Sequence, residues 1–169
     1  MEALKDFVAD VPDFPKEGVV FRDITPLLNS KFNETLGAIK GLFSEHELND
    51  VDAFAGLDAR GFIFASALSA QLGKDLVVIR KSGKLPPPTV SREYDLEYGS
   101  ARIEMKPGQG KLIIVDDLIA TGGSMQAAAE LSAEAGYDIL ALACLIDLKF
   151  LNDFSWNGHT VRSVLQYHD

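Results

Sequence analysis

The chain has 169 residues, of which 47% are hydrophobic and 24% are charged, and these values fit one globular domain with a full core. Its formal net charge of -9 argues against general binding to nucleic acid or to an anionic membrane surface. The single cysteine, Cys144, excludes a disulfide within the chain and favours a reducing, cytoplasmic location. No run of about 18 apolar residues occurs, so we expect no membrane span, and the charged N-terminus does not resemble a signal peptide.

The N-terminal half alternates between helical and extended patterns. Residues 4–11 have the apolar spacing of a short amphipathic helix, which Pro12 would end. Residues 19–24 form an apolar, extended stretch. Hydrophobic periodicity then predicts a helix over 32–48, a buried strand over 51–57, a helix over 61–72 and a buried strand over 76–79.

The C-terminal half begins with an irregular segment at 81–91, because Pro86, Pro87 and Pro88 prevent regular structure there. Residues 92–96 and 101–105 flank a short Tyr-Gly-Ser sequence and are predicted to form a β-hairpin. The remaining predicted elements are a strand over 111–115, a helix over 125–135, a strand over 138–146 and an extended piece over 160–167.

This order of elements predicts an α/β fold with a central, mostly parallel sheet flanked by helices on both faces, in a single domain of residues 1–169. Ligands of such sheets bind beyond the carboxyl ends of the strands. Polar side chains just past the ends of predicted strands should therefore converge on one edge of the sheet. These residues are Asp58, Lys81, Asp116 and Asp147.

The most informative motif is VDDLIATGGSM at residues 115–125. Loop amides and a helix N-terminus at 120–124 favour a phosphate group, and the glycines allow the backbone to approach it closely. Asp116 and Asp117 would repel that phosphate, so they should face sugar hydroxyls or a divalent cation. The alternative is a plain strand-to-helix turn. No G-x-x-x-x-G-K-[ST] loop occurs, which excludes a P-loop NTPase, and no strand is followed by G-x-G-x-x-G.

A second strand-to-helix loop, GLDARG at 56–61, carries a cation at a predicted helix start. Arg60 and the helix end can bind an anion together. The alternative is that Asp58 caps the helix and Arg60 is simply solvated. The residues alone do not distinguish these two interpretations.

Basic residues cluster where the irregular segment begins. Arg80, Lys81 and Lys84 lie close together in the sequence, and Arg92 follows the prolines. A solvated charged loop is the ordinary explanation for such a cluster. The functional alternative is a mobile lid that brings cations onto an anionic substrate and excludes water.

The motif at 115–125 resembles the phosphoribosyl pyrophosphate motif of the type I phosphoribosyltransferases. Four further stretches, 14–28, 56–62, 80–89 and 96–99, are similar to the adenine-specific branch of that family. The resemblance implies the type I phosphoribosyltransferase fold, with a flexible β-hairpin lid at about 81–106 and a small base-binding hood formed by the N-terminal and C-terminal segments. It also implies Mg²⁺ as cofactor and a reaction of adenine with 5-phosphoribosyl 1-pyrophosphate that gives AMP and pyrophosphate.

The resemblance further assigns roles to residues. Ribose hydroxyls are assigned to Asp116 and Asp117, and the 5′-phosphate to Ala120, Thr121, Gly122, Gly123 and Ser124. Pyrophosphate is assigned to Asp58, Ala59, Arg60, Lys81 and Lys84. Adenine is assigned to Val20, Phe21, Arg22 and Leu148, although Phe21 and Leu148 by themselves would be taken for core residues. The implied catalytic residues are Glu97, Arg60 and Lys84.

Two points stay open at this level. Glu97 would either help to move a proton on the purine or support the cationic sugar. Mg²⁺ would be held mainly by the substrate, with Asp116 or Asp117 as the protein ligand.

Two other functions are compatible with part of the pattern. One is transfer to another purine base, against which residues 14–28 argue. The other is a regulator on the same fold that senses phosphoribosyl pyrophosphate, against which the net charge of -9 and the presence of Glu97 and Arg60 argue. The resemblance also implies a homodimer.

Overall fold

The computed structural model describes residues 2–96 and 98–169. The helices are α1 (Glu2–Lys5), α2 (Thr25–Ser30), α3 (Phe32–Lys40), α4 (Glu45–Asp50), α5 (Gly61–Leu72) and α6 (Gly123–Ala135). The strands are β1 (Ala9–Val11), β2 (Phe21–Asp23), β3 (Ala53–Leu57), β4 (Asp75–Lys81), β5 (Val90–Asp95), β6 (Ser100–Met105), β7 (Gly110–Ile119), β8 (Tyr137–Leu148), β9 (Ser155–Trp156) and β10 (His159–Tyr167). None of the helices in this described part of the chain has the length and apolar character needed to cross a bilayer.

The strands form one large sheet and one small one. The large sheet has eight strands in the order β5-β6-β4-β3-β7-β8-β10-β9, and its five central strands, from β4 to β10, are parallel. β5 and β6 form an antiparallel hairpin at one edge, and β9 pairs antiparallel with β10 at the other. β1 and β2 form a separate antiparallel pair. The predicted α/β fold with a mostly parallel sheet is confirmed.

Helices cover the two faces of the large sheet and bury alternate side chains of the same strands. On one face, Phe64 of α5 packs in a cluster that contains Ile113 and Val115 of β7. On the other face, Leu131 of α6 packs in a cluster that contains Ile114. Because successive strand residues point to opposite faces, the near-continuous apolar sequence of β7 supplies both clusters.

The single helix predicted over residues 32–48 is wrong. The chain forms α3 and α4 instead, and a capping box separates them. The Ser44 hydroxyl accepts the Glu47 N–H at 3.1 Å, and the Glu47 carboxylate accepts the Ser44 N–H at 2.9 Å. Helix α4 has no buried residue and only its Leu48 packs against the core, so hydrophobic periodicity does not show where the first helix ends.

Two further predictions near the N-terminus also need correction. The helix predicted over 4–11 ends at Lys5, and Val11 lies in β1, which pairs with β2. Helix α2 was not predicted, although Pro26 in its first turn is a typical helix-start residue.

Strand β7 is longer than its apolar run. The strand predicted over 111–115 continues to Ile119, so Asp116 and Asp117 lie within it and do not follow it. The cause is strand β8, which likewise extends beyond its predicted end to Leu148 and pairs with β7 as far as Ile119. The two acids are consequently held by a hydrogen-bonded ladder.

Low pH should destabilise the fold because it protonates Glu47. Arg162 donates two hydrogen bonds of 2.8 Å to its carboxylate, and this pairing, opposed by partial burial, holds the pKa of Glu47 at about 2 against an ordinary 4.5. Because the folded-state pKa is the lower one, the stabilisation is complete above pH 4.5 and is lost as pH falls toward 2. The side chains of Glu47 and Arg162 are both partly exposed, which limits this stabilisation to about 1 kcal/mol.

Urea unfolding of Glu47→Gln checks this expectation. At neutral pH the variant should be less stable than the unmodified protein by about 1 kcal/mol, and the difference should shrink as the pH approaches the folded-state pKa. Glu45→Gln removes an exposed carboxylate from the same helix and should have little effect at either pH. A difference that does not change with pH would show that the carboxylate charge is not responsible.

Candidate active site

Three segments of the chain meet at the carboxyl edge of the parallel strands. Residues 58–60 connect β3 to α5, residues 120–122 connect β7 to α6, and the segment after β4 leads into the hairpin of β5 and β6. Asp58 directly follows β3, as the sequence predicts, whereas Lys81 is the last residue of β4 and does not lie beyond it. Asp147 lies inside β8 and not beyond it.

The loop from Ala120 to Ser124 borders a cavity of about 220 Å³ at the start of α6. The first turn of α6 carries no acidic residue, so the positive end of the helix faces the cavity without competition. Gly122 has a φ of 93°, and its amide and those after it open the helix. This arrangement suits a phosphate group, since free amides and the helix dipole both favour an anion.

Gly122 also allows the loop to lie directly on an aromatic ring. A methyl group at this position would stand 2.8 Å from the ring of Phe154. Gly61 plays a comparable part at the start of α5, where a methyl group would stand 3.0 Å from Asp116 Oδ1 and from the Val115 carbonyl. Both helices that start at this edge therefore approach their neighbours more closely than a side chain would permit.

The two acids of β7 have different partners. Asp117 Oδ2 lies 2.8 Å from Arg60 Nε, whereas Asp116 Oδ1 accepts the Asp117 N–H at 2.9 Å. Burial, followed by the negative charge of Asp117, raises the pKa of Asp116 well above its usual value, although Arg60 opposes the shift. Asp116 therefore gains from any hydroxyl donor or cation that enters the site.

Arg60 connects the acids with an aromatic surface. Its guanidinium carbon lies 5.2 Å from the centre of the Phe21 ring, within the range of a cation–π contact. Its Nε atom is bound to Asp117. Arg60 is therefore not simply solvated, as one interpretation of the sequence had it.

Cations surround Asp58. Its Oδ2 atom lies 3.3 Å from Lys84 Nζ, 3.3 Å from the Lys81 amide nitrogen and 3.6 Å from Arg80 Nε. Burial alone would raise the pKa of Asp58, but these partners outweigh burial and hold the pKa below its ordinary value. The peptide bond between Asp58 and Ala59 is cis. Lys81 and Lys84 thus meet the loop at 58–60, which brings the predicted pyrophosphate residues into one neighbourhood.

A cavity of about 220 Å³ lies between this cationic group and the two acids. Its lining includes most of the residues predicted for pyrophosphate and the ribose hydroxyls. These are Asp58, Ala59, Arg60, Lys81, Asp116 and Asp117. Tyr94 and Ser124 complete the same wall.

The hairpin is attached to the sheet edge by contacts that the sequence did not reveal. The Glu104 carboxylate accepts the amides of Lys84 and Leu85 at 2.8 and 2.7 Å, and these bonds, the Leu85 amide first, hold the pKa of Glu104 below its usual value. The hydroxyl oxygen of Tyr94, on β5, lies 3.3 Å from Ser124 Oγ. The hairpin therefore touches the phosphate loop directly.

Arg92 does not join the basic cluster that the sequence suggested. Its guanidinium pairs with Glu130 at 2.8 Å and with Glu134 at 3.5 Å, both on α6. Arg92 therefore ties the hairpin to α6. Glu97, the predicted acid–base residue, lies outside the described residues.

A mainly apolar pocket of about 580 Å³ lies beside the acids. It is lined by all four residues that were predicted to contact the base, namely Val20, Phe21, Arg22 and Leu148. The edge of the Phe14 ring packs against Phe21 with 5.1 Å between ring centres. The pocket combines an N-terminal segment with the end of β8, and the base-binding hood stays a prediction.

The side chain of Arg22 points away from a base-binding role. Its guanidinium lies 4.3 Å from the centre of the Tyr167 ring and forms an ion pair with Asp10. These contacts help to hold the strand that carries Phe21, and Arg22 lines the pocket next to Phe21. Main-chain reading of a base edge, as expected from the resemblance, is compatible with this geometry.

Sequence reasoning missed several residues of the site. Leu118 lines the apolar pocket, the phosphate-loop cavity and the cavity near Asp58. Phe150 and Leu151 line the apolar pocket and are about half exposed. Large apolar residues just after a strand were the available signal for these two, whereas nothing in the sequence distinguishes Leu118 from a core leucine.

Within residues 2–96 and 98–169, no three or more His, Cys, Asp or Glu side chains come together as a metal cluster. Asp116 and Asp117 nevertheless supply carboxylate oxygens on one wall of the cavity near Asp58. Mg²⁺ commonly binds one or two carboxylates and takes its other ligands from substrate phosphates and water. The residues present therefore fit a substrate-held magnesium ion.

Comparison with known proteins adds independent information. The Phosphoribosyl transferase domain family matches residues 32–149. The adenine phosphoribosyltransferase of Hydrogenovibrio crunogenus is 54% identical over 167 residues, which cover 98% of this chain and 97% of that protein. The corresponding protein of Bdellovibrio bacteriovorus is 48% identical over 165 residues, 97% of this chain and 99% of its own length.

Solved structures show the same similarity. The crystal structure of adenine phosphoribosyltransferase from Thermoanaerobacter pseudethanolicus superposes with a TM-score of 0.90 at 36% identity, covering 98% of this chain and 99% of the other. The Saccharomyces cerevisiae protein, solved in complex with adenine and an imino-altritol bisphosphate, gives a TM-score of 0.87 at 34% identity, with 97% of each chain covered.

Proposed function

The chain belongs to the phosphoribosyl transferase family, and we propose that it is an adenine phosphoribosyltransferase that converts adenine and 5-phosphoribosyl 1-pyrophosphate to AMP and pyrophosphate in purine salvage. The observation that carries the proposal is the adjacency of three subsites. An apolar pocket, a pair of acids and a phosphate loop stand side by side, and Leu118 touches all three cavities. A base, a ribose diol and a 5′-phosphate occur in that order in AMP.

The sugar phosphate is held by the rigid part of the site. The 5′-phosphate binds at the loop Ala120 to Ser124, where amides and the start of α6 face a cavity. Asp116 and Asp117 accept hydrogen bonds from the 2′- and 3′-hydroxyls. Both acids sit on a strand paired with its neighbour, so little reorganisation accompanies binding.

Pyrophosphate binds beside residues 58–60. The pyrophosphate is surrounded by the backbone of Asp58 and Ala59 and by the cations Arg60, Lys81 and Lys84. Lys84 and Arg60 are paired with Asp58 and Asp117 before substrate arrives, so these acids keep the cations in place. An anionic substrate then shares or replaces those partners.

The reaction is a substitution at the anomeric carbon. Nitrogen N9 of adenine forms a bond to C1′ while the bond from C1′ to the pyrophosphate oxygen breaks, and the proton of N9 is lost. The transition state resembles an oxocarbenium ion, so positive charge develops on the sugar next to Asp116 and Asp117. The growing negative charge on the leaving group is stabilised by Arg60, Lys81 and Lys84.

Adenine occupies the apolar pocket between Phe21 and Leu148. The backbone of Val20 and Arg22 reads its edge, because a carbonyl there accepts from the 6-amino group and rejects a 6-oxo purine. Glu97 either accepts the purine proton or supports the cationic sugar. Asp116 or Asp117 would hold Mg²⁺ together with the substrate, and the ion would supply additional charge stabilisation to the pyrophosphate.

A panel of purine bases tests this proposal. With phosphoribosyl pyrophosphate and Mg²⁺ present, adenine should give nucleotide with a kcat/KM at least about 100-fold above that of hypoxanthine or guanine, since the latter lack the 6-amino donor. Chromatography of the nucleotide product measures each rate, and a reaction without the sugar pyrophosphate serves as control. A preference for a 6-oxo purine would show that the substrate is another base and not adenine. A failure with every base would leave a phosphoribosyl-pyrophosphate sensor as the better interpretation.

We also propose that the protein works as a homodimer in the cytoplasm. Leu76 on β4 is 44% exposed, which leaves an apolar position of the sheet uncovered. Cys144 is buried and free, as suits a reducing compartment. Light scattering in solution measures the oligomeric state directly, and a monomer at micromolar concentration would contradict the first part.

A further inference from the structure

The segment from Leu148 to Phe154 lies behind both the apolar pocket and the phosphate loop. Leu148, Phe150 and Leu151 line the apolar pocket, whereas Phe154 packs beneath Gly122 of the loop. Asn152 stands between these two groups. It does not line the phosphate-loop cavity, so it acts on that cavity only through other residues.

Asn152 is bound on both sides of its amide group. Its Nδ2 atom lies 2.9 Å from the carbonyl oxygen of Ala120, 3.0 Å from Asp147 Oδ1 and 3.0 Å from the carbonyl oxygen of Leu148. Its Oδ1 atom accepts the Phe154 N–H at 3.2 Å. The amide group therefore has a fixed orientation, with its donor toward the phosphate loop.

Asp147, which helps to orient Asn152, is itself fixed. Its side chain is 1% exposed, and its other oxygen pairs with Lys149 Nζ at 2.8 Å. A buried carboxylate with a cation on one oxygen and an amide on the other has little freedom to turn. Lys149, Asp147 and Asn152 thus form a connected series of contacts that ends at the carbonyl of Ala120.

The Ala120 carbonyl matters because of the peptide bond that follows it. That bond is trans, so the carbonyl of Ala120 and the N–H of Thr121 point in opposite directions. Asn152 holds the carbonyl but does not line the cavity, whereas Thr121 does, so this orientation of the peptide unit would turn the Thr121 N–H toward the cavity. If this peptide unit turned over, a carbonyl oxygen would face the phosphate, and one donor would be exchanged for a repulsive acceptor.

Resting on the function proposed above, we propose that Asn152 is a positioning residue that fixes the first peptide unit of the phosphate loop, so that its N–H group faces the 5′-phosphate. Asn152 touches no substrate. Its contribution is to keep the loop in the orientation that binds phosphate before any substrate arrives.

The base pocket does not depend on this contact to the same degree. The Leu148 carbonyl also accepts the Leu151 N–H at 2.9 Å, and Leu148 pairs with Tyr167 in the sheet. Loss of the Asn152 amide therefore leaves Leu148 held by other bonds. Binding of the phosphate and binding of the base should respond differently to the same substitution.

Asn152→Leu tests the proposal, because leucine keeps the shape of the side chain and removes its donor. We expect the Kd for ribose 5-phosphate, measured by calorimetry, and the KM for phosphoribosyl pyrophosphate to rise about tenfold, as for one lost hydrogen bond to a charged group. The KM for adenine should change less than about twofold. Asn33→Leu makes the same replacement at an exposed position of α3 and should leave every constant unchanged.

Several results would overturn the proposal. An unchanged Kd for ribose 5-phosphate would show that the loop keeps its orientation without Asn152, and equal losses for both substrates would indicate a general structural role. Asn152→Ser is the second variant, to be measured in the same way if the leucine variant does not fold. Ribose 5-phosphate binding requires no turnover, so its loss supports the positioning role even if adenine proves not to be the base.

Discussion

Asp117→Asn is expected to lower kcat/KM for phosphoribosyl pyrophosphate about 1000-fold, which corresponds to roughly 4 kcal/mol of transition-state stabilisation. Asp117 lies 2.8 Å from Arg60 and borders the cavity assigned to the sugar and pyrophosphate. Asparagine keeps the shape but loses the negative charge, which weakens the hydrogen bonds to the diol. It also removes an anion from beside a sugar that becomes positively charged, and two charge-assisted contacts of about 2 kcal/mol each account for the estimate.

Steady-state kinetics with each substrate varied in turn measure this effect. The loss should appear in kcat as well as in KM, because part of the contact strengthens only in the transition state. Asp153→Asn makes the same chemical change at an exposed position and should retain full activity. A kcat/KM within twofold of that control would contradict the assignment of Asp117 to the ribose.

Gly122→Ala is expected to destabilise the fold by about 3 kcal/mol and to raise the Kd for ribose 5-phosphate about 100-fold. The φ of 93° at Gly122 is unfavourable by about 1–2 kcal/mol for a residue with a side chain. The added methyl group would also stand 2.8 Å from the Phe154 ring, and overpacking of this kind destabilises by about 1–3 kcal/mol. The loop would move to relieve both strains, and its amides would then lie farther from the phosphate.

The neighbouring glycine provides the matched control for stability. A methyl group on Gly123 would have Thr121 Oγ1 at 3.9 Å as its nearest neighbour, so Gly123→Ala should change the free energy of unfolding by less than about 0.5 kcal/mol. Urea unfolding of both variants measures the difference. Equal stability of the two would mean that neither the backbone conformation nor the contact with Phe154 matters at Gly122.

The sequence predicts the fold where periodicity and burial agree. Helix α5 was predicted over its observed span, and the hairpin of β5 and β6 within two residues of its ends. The break between α3 and α4 was missed because the capping box of Ser44 and Glu47 sets it, and hydrophobic periodicity does not detect a cap. The true end of β7 was missed because carboxylates are poor strand residues, and only pairing with β8 keeps Asp116 and Asp117 extended.

The candidate site was predictable where a loop carries a recognisable pattern. Residues 120–124 and the acids before them are one such pattern, and the structure brings them together with Asp58, Arg60 and Lys84. Asn152 and Tyr94 carry no such signal, since each acts through one hydrogen bond to a segment far away in the chain. Contacts of this kind depend on the packed fold and do not leave a local pattern.

The apolar pocket draws on both ends of the chain, whereas the acids, the phosphate loop and the cationic group come from its middle. On the proposed function, substitutions at pocket residues such as Val20 and Phe150 can therefore alter which nucleobase fits while leaving in place the acids and cations at which the bond from C1′ to pyrophosphate breaks. This separation makes the outer residues of the apolar pocket the natural targets for redesigning base selectivity.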